Sequence, residues 1–413
     1  MDTTISYRGA LLGRFTSVLA LLLSALLLTC SCNGAGISRS PSSEGEGKGD
    51  VSIDPIFNEE LFLQASGAPH VSAASAILIE KESGRVLYQK DADTRRPMAS
   101  TTKIMTALLC AERGDLDRTV TIPREAVGIE GSSVYLRQGE SLTVRELLYA
   151  VMLQSANDAA TALAIALSGS VEAFVSEMNE KARLLGLDDT AFENPHGLDG
   201  EGHYTTARDL AALMAYALEN EAFCTVTGTY KKTIPLSSGE GTRVLVNHNR
   251  LLRQYDGCIG GKTGYTQRSG RCLVSAAARD GMTLIAVTLR APNDWSDHTA
   301  LFDYGFSSYS RVTLDEKTVG YLATVGGEGE TLRYRLEGQL SALIPKGKTV
   351  QIRWEHRRFY FAPLKEGEIL GRAVMLCEGE PIGAVNMIAA HDVLKRKEPF
   401  DLREWLSRLL FGG

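Results

Sequence analysis

Lys103 sits in a run, Met98 to Ala111, where nearly every other residue is apolar, small or hydroxylated, and Ser100 precedes it by three positions. An ammonium is among the groups least often fully buried, because an unpaired charge in apolar surroundings costs several kcal/mol or more. Two readings account for the pair. Serine is a favoured helix N-cap and a lysine stem can snorkel, so the pattern fits a capped helix with its amine in water. Residues three apart on a helix are also neighbours, so a neutral amine there could take the Ser100 proton and turn a weak nucleophile into a strong one.

Two further patterns follow in order. Ser155-Ala156-Asn157 stands at the head of a strongly helical run, and Lys262-Thr263-Gly264 falls on an expected strand. Alone, the first fits another helix cap and the second a solvated strand end. Together with Ser100 and Lys103, in order and each on the expected element, they make a specific match rather than three chance ones.

The elements that must position these groups are legible from period and punctuation. Ile104, Leu108 and Ala111, with Met105 and Leu109, recur at helical spacing, so a buried helix is expected from about Thr101 with Ser100 at its start. Upstream, two β-rich runs flank Glu82-Ser83-Gly84 as a hairpin. Helical patterns then dominate to about Glu221, one opening at Thr143 with Glu146 three residues on, the spacing of a capping box. Strands return from "KKTIPL" onward, with Asp280-Gly281 as a hairpin signal. A sheet made from the two ends of this segment around a helical middle is the simplest packing. From about Val312 to Lys397 short alternating runs such as "TVQIRWEHRRFYF" describe a small β domain, in which no catalytic constellation is evident.

Length and composition set the frame. The chain has 413 residues, 44% of them hydrophobic and 23% charged, enough for two globular domains. A net charge of −6 gives no electrostatic case for nucleic-acid binding. Arg8 and Arg14 precede the apolar run "FTSVLALLLSALLLTCSC", about the length of a signal-peptide core and short for a membrane span, so an exported protein is expected. The run ends at Cys30 and Cys32, where Leu27-Leu28-Thr29-Cys30 resembles a lipoprotein cleavage box; a plain secretory signal is the alternative. The Gly/Ser-rich tether beyond it cannot bury apolar surface. The five later cysteines, Cys110, Cys224, Cys258, Cys272 and Cys377, match no zinc or redox spacing and are expected to be buried thiols. No metal site or organic cofactor is indicated. At the far end Leu402, Trp405, Leu406, Leu409 and Leu410 share one helical face opposite Arg403 and Arg408, behind Lys395-Arg396-Lys397; such a helix can lie on a membrane surface or dock on its own domain.

The ordered triplets, with "GSSVYLRQGE", "NPHGL", "HYTTARDLA" and "NHNRLL", resemble the low-molecular-mass penicillin-binding proteins, serine-type D-alanyl-D-alanine carboxypeptidases, over roughly residues 70 to 395. The resemblance implies an α+β, β-lactamase-like catalytic domain with an antiparallel sheet and a helical cluster, followed by a small all-β domain. The implied divisions are a signal over 1–32, a linker over 33–60, the catalytic domain over 61–311, the β domain over 312–397 and an amphipathic helix over 398–413. By the same resemblance Ser100 is the acylated nucleophile, Lys103 its base, Ser155 a proton relay and Asn157 a substrate-amide contact. Lys262 and Thr263 would attract and bind the terminal carboxylate, Gly264 completes their motif, and the amides of Ser100 and Tyr265 would form the oxyanion hole. The implied substrates are peptidoglycan stem peptides, with β-lactams as inhibitors that stall on Ser100, at the outer face of the cytoplasmic membrane. One departure stands out: where some relatives carry a carboxylate-binding arginine after "AVTLRAP", this chain reads "NDWSDH", which leaves His298 as an open candidate.

Two other functions compete. A serine β-lactamase needs a carboxylate base for fast deacylation, and the corresponding loop here reads Glu193-Asn194-Pro195-His196. A non-catalytic peptidoglycan-binding scaffold would carry a broken triplet, and none of the three is broken.

Overall fold

The computed structural model describes residues 67–236, 241–397 and 402–411. The N-terminal apolar run and the tether lie outside the described residues. The chain opens with a hairpin, β1 (Ser75–Glu80) and β2 (Val86–Lys90), and passes through a 3-10 turn (Ala99–Thr102) into helix α1 (Lys103–Glu112). The strands β3 (Thr119–Thr121) and β4 (Ser141–Thr143) pair beside a helical cluster: α2 (Val144–Leu153), α3 (Asn157–Ser168), α4 (Val171–Leu184), α5 (Ala207–Ala217) and α6 (Glu221–Gly228). A second small hairpin, β5 (Lys231–Pro235) and β6 (Thr242–Val246), and the short helix α7 (Leu251–Gln254) lead to β7 (Cys258–Thr266), β8 (Gly270–Arg279), β9 (Met282–Leu289) and α8 (Asp294–Ser308).

These strands make one antiparallel sheet in the order β2-β1-β9-β8-β7, so the two ends of the segment do enclose a helical middle. The sheet is buried on both faces, and its side chains alternate between two cores. Ile77, Ile79, Ile285 and Val287 pack with the helical cluster, whereas Ala76, Leu78, Leu284 and Ala286 pack against Leu301 and Phe302 of α8. Thr143 caps α2 through a reciprocal capping box with Glu146, the pattern its spacing implies.

The remaining strands are β10 (Tyr309–Leu314), β11 (Val319–Val325), β12 (Thr331–Leu336), β13 (Leu340–Pro345), β14 (Val350–His356), β15 (Phe359–Phe361), β16 (Ile369–Cys377) and β17 (Glu380–Ala389). Six of them form a second sheet, β14-β16-β17-β12-β11-β15, with its own apolar core around Leu332, Leu336, Tyr360 and Met387. The expected division at residue 311/312 falls inside β10, which pairs with β13 and places Tyr309 in a core with Leu343 and Phe306. Arg311 reaches back to the buried carboxylate of Glu80, and Arg85 donates to the Leu343 carbonyl at 2.7 Å. The last element is α9 (Leu402–Phe411), a helix on which Leu402 and Leu406 are exposed. No single helix among the described residues is long and apolar enough to cross a membrane.

The cysteine expectation needs correction. All five described cysteines are free thiols, but only Cys110, Cys272 and Cys377 are buried. Cys224 in α6 and Cys258 at the first position of β7 remain partly exposed, because each lies on an element whose neighbours do not cover it completely.

Candidate active site

The turn bearing Ser100 differs from the simple cap that the sequence suggests. Ser100 lies inside the 3-10 turn, its side chain caps nothing, and α1 begins at Lys103. Ala99, just before it, holds a left-handed backbone with φ of 48°, a conformation costly for a residue with a Cβ. The strain is fixed by close packing. A Cβ on Gly197 would sit 2.0 Å from the Ala99 carbonyl oxygen, and one on Gly264 would sit 2.9 Å from the Ser100 nitrogen. Glycine at both positions lets a loop and strand β7 press on the turn from two sides.

Lys103 does not snorkel. It is fully buried, and its Nζ lies 3.0 Å from Ser100 Oγ and 2.7 Å from Asn157 Oδ1, with the His196 carbonyl as a third, close partner. Burial, with the Lys262 ammonium adding to it, holds the amine well below the usual lysine value. A neutral amine has two protons and one lone pair. The Asn157 and His196 oxygens take the two protons, which leaves the lone pair for the Ser100 hydroxyl. Asn157 is itself oriented, since its Nδ2 donates to the Glu130 carbonyl at 2.5 Å.

Ser155 precedes α3 with a left-handed backbone, φ 58°, so it is not a helix cap; Ala156 takes that position. Its hydroxyl accepts from Lys262 Nζ at 3.0 Å, and Lys262 also donates to the Thr263 carbonyl at 2.8 Å. Burial pushes the Lys262 amine down to about 7. Strand β7 carries Lys262, Thr263, Gly264 and the exposed Tyr265 past the Ser100 turn. Ser100, Ser155, Thr263, Gly264 and Tyr265 all line one open cleft of about 850 Å³. The three distant segments therefore converge, and all eight residues singled out in the sequence lie in this cleft or directly behind its wall.

Several participants escaped the sequence. The His196 carbonyl is a backbone atom, and only the turn residues of Asn194-Pro195-His196-Gly197 hinted at a special loop. Asp158 is almost fully buried and accepts from Ser133 Oγ (2.6 Å), Leu136 N (3.0 Å) and Ala159 N (2.9 Å), which anchors the 131–136 loop over the cleft. Arg271, opposite Tyr265 in the β7–β8 register, lines the cleft in an ion pair with Asp294 at 2.9 Å. His298 is not in the cleft. It is fully buried beneath the sheet between Ser275 and Thr288, and burial pushes its imidazole down to about 3.

A serine hydroxyl, a buried amine beside it and a second buried amine across an open cleft define a serine hydrolase of the acyl-enzyme kind. Residues 63–293 match the peptidase S11 family, D-alanyl-D-alanine carboxypeptidase, and the chain belongs to that family. It is 36% identical over 336 residues to the D-alanyl-D-alanine carboxypeptidase DacF of Bacillus subtilis, covering 78% of this chain and 86% of that protein. It is 32% identical to DacC of Escherichia coli, covering 80% of this chain and 86% of that one. Among solved structures, penicillin binding protein 5 from Haemophilus influenzae superposes with a TM-score of 0.66 at 28% identity, covering 80% of this chain and all of that one. A mutant of the Streptomyces K15 DD-transpeptidase superposes with a TM-score of 0.56 at 37% identity, covering 58% of this chain and 99% of that one. The chain is thus a serine-type peptidase with the penicillin-binding protein fold.

Proposed function

We propose that the protein removes the terminal D-alanine from peptidoglycan stem peptides through an acyl-enzyme on Ser100. The 3.0 Å contact between the Ser100 hydroxyl and a buried Lys103 amine with no carboxylate partner among the described residues carries this reading. Lys103 takes the hydroxyl proton as Ser100 attacks the carbonyl before the last residue. The oxyanion is met by the amides of Ser100 and Tyr265. Ser155, held by Lys262, passes a proton to the departing amine, and water then attacks the ester to release the shortened peptide. Asn157 holds Lys103 and contacts the substrate amide, while Lys262 and Thr263 attract the terminal carboxylate. Penicillins acylate the same hydroxyl.

Fast β-lactam turnover does not fit. The Glu193 side chain folds back on the Gly202 amide at 3.0 Å, and the carboxylate lining the cleft, Asp294, is paired with Arg271. Among the described residues no carboxylate is placed to drive a water at the acyl-Ser100 ester. Export to the outer face of the cytoplasmic membrane, by way of the N-terminal apolar run, and surface attachment through an N-terminal lipid or the exposed leucines of α9 complete the proposal. Incubation with purified muropeptides should release free D-alanine, and intact mass spectrometry after penicillin treatment should find one adduct, mapped to Ser100. An unmodified Ser100 with no D-alanine released would overturn the assignment.

A further inference from the structure

We infer that His203 is a positioning residue for the nucleophile, tying the loop that faces Lys103 to the turn that carries Ser100. The inference rests on Ser100 being the acylated residue. His203 is buried at 3% exposure and lies behind the cleft rather than in its lining. Its hydrogen bonds have only one consistent direction. Nδ1 accepts from the Glu193 amide at 3.0 Å, which puts the ring proton on Nε2. Nε2 is 2.7 Å from Thr102 Oγ1, so it donates there, and the Thr102 hydroxyl donates onward to the Ala99 carbonyl at 2.8 Å.

Each end of this chain meets the reacting groups. At one end is the carbonyl of Ala99, the strained residue bonded to Ser100. At the other is the first residue of the 193–198 loop, which gives the Pro195 carbonyl to Thr106 at 2.6 Å and the His196 carbonyl to Lys103. The imidazole thus fixes the spacing between Ser100 and the carbonyl that orients its base. Phe192 packs edge-on against the ring, 5.9 Å between centroids. Burial pushes the imidazole down to about 4, so near neutral pH it keeps the single donor and single acceptor that the chain requires.

The test uses the full chain and a fluorescent penicillin in stopped flow, separating reversible binding from the acylation step at saturation. His203→Asn keeps an oxygen near the Nδ1 position for the Glu193 amide but reaches nothing at Thr102; Thr102→Val removes the hydroxyl and keeps the shape. Each should slow acylation by roughly tenfold to a hundredfold with reversible binding little changed. The double variant should be no slower than the slower single, because both cut the same chain, and Thr102→Ser should acylate at the parent rate. Nitrogen NMR of the parent should show His203 as the Nε2–H tautomer, a readout independent of whether any variant folds. Parent-like acylation in both single variants, fully additive losses, or an Nδ1–H tautomer would each overturn the inference. A parent protein that penicillin does not acylate would instead refute the nucleophile itself.

Discussion

Replacing Lys262 with methionine should make the protein more stable and less active. Lys262 is almost fully buried, and among the described residues its amine meets only the Ser155 hydroxyl and the Thr263 carbonyl, with no carboxylate. Burial lowers its ionisation from 10.5 to about 7, which is worth about 5 kcal/mol. The sign follows from proton counting. Between pH 7 and 10.5 the unfolded chain binds the proton and the folded one does not, so stability rises with pH across that window and the full penalty applies below it. Methionine has nearly the same shape and no charge, so it removes the penalty but leaves the Ser155 hydroxyl short of a donor and the Thr263 carbonyl short of one bond, about 1 kcal/mol each. A net gain of about 1–3 kcal/mol at pH 7 is expected, shrinking as the pH rises and turning into a loss of about 1–2 kcal/mol near pH 10.5, where the penalty is gone and the two lost hydrogen bonds remain. Urea unfolding at both ends of that range measures it, alongside penicillin acylation, which should fall sharply. A variant destabilised at pH 7, or a gain that does not change with pH, would refute the reasoning.

Gly264→Ala places a Cβ 2.9 Å from the Ser100 nitrogen and 3.1 Å from the Met98 carbonyl oxygen. Those neighbours are backbone, so the nucleophile turn must move, and acylation measured by fluorescent penicillin should drop about a hundredfold; an unchanged rate would show that the close approach is dispensable. Asp158→Asn loses a carboxylate that accepts from Ser133, Val134, Leu136 and Ala159, and thermal unfolding should show a loss of about 2–4 kcal/mol. Mapped alkylation of the native protein should modify Cys224 and Cys258 first. Cys110, whose thiol burial pushes up to about 12, should react only on unfolding.

The sequence carried much of this site because its chemistry needs residues that violate ordinary patterning. Lys103 inside an apolar helix is such a violation, and the structure buries it with no carboxylate partner among the described residues. Two hairpins and a sheet drawn from both ends of the segment were also legible, since the Glu82-Ser83-Gly84 and Asp280-Gly281 turns pin neighbouring strands; the strand order itself was not. Backbone contributions were not. Nothing in side-chain period announces that Ala99 and Ser155 adopt left-handed conformations, because tertiary contacts impose them against local preference. The His196 carbonyl and the Thr102–His203 link depend on a loop 90 residues or more beyond the nucleophile, a separation that spacing rules do not reach. His298 was misleading for a related reason: an exposed-looking stretch, "NDWSDH", forms the first turn of α8 and turns its histidine into the core.

The central claim is that Lys103 is a neutral amine poised on the Ser100 hydroxyl, and the pH dependence of the Ser100 acylation rate at saturating penicillin tests it most directly. The account expects the rate to reach its plateau far below pH 10.5, with Lys103→Met near background throughout. A rate that keeps climbing to pH 10, as for an ordinary lysine, or a Lys103→Met variant that acylates like the parent, would contradict it.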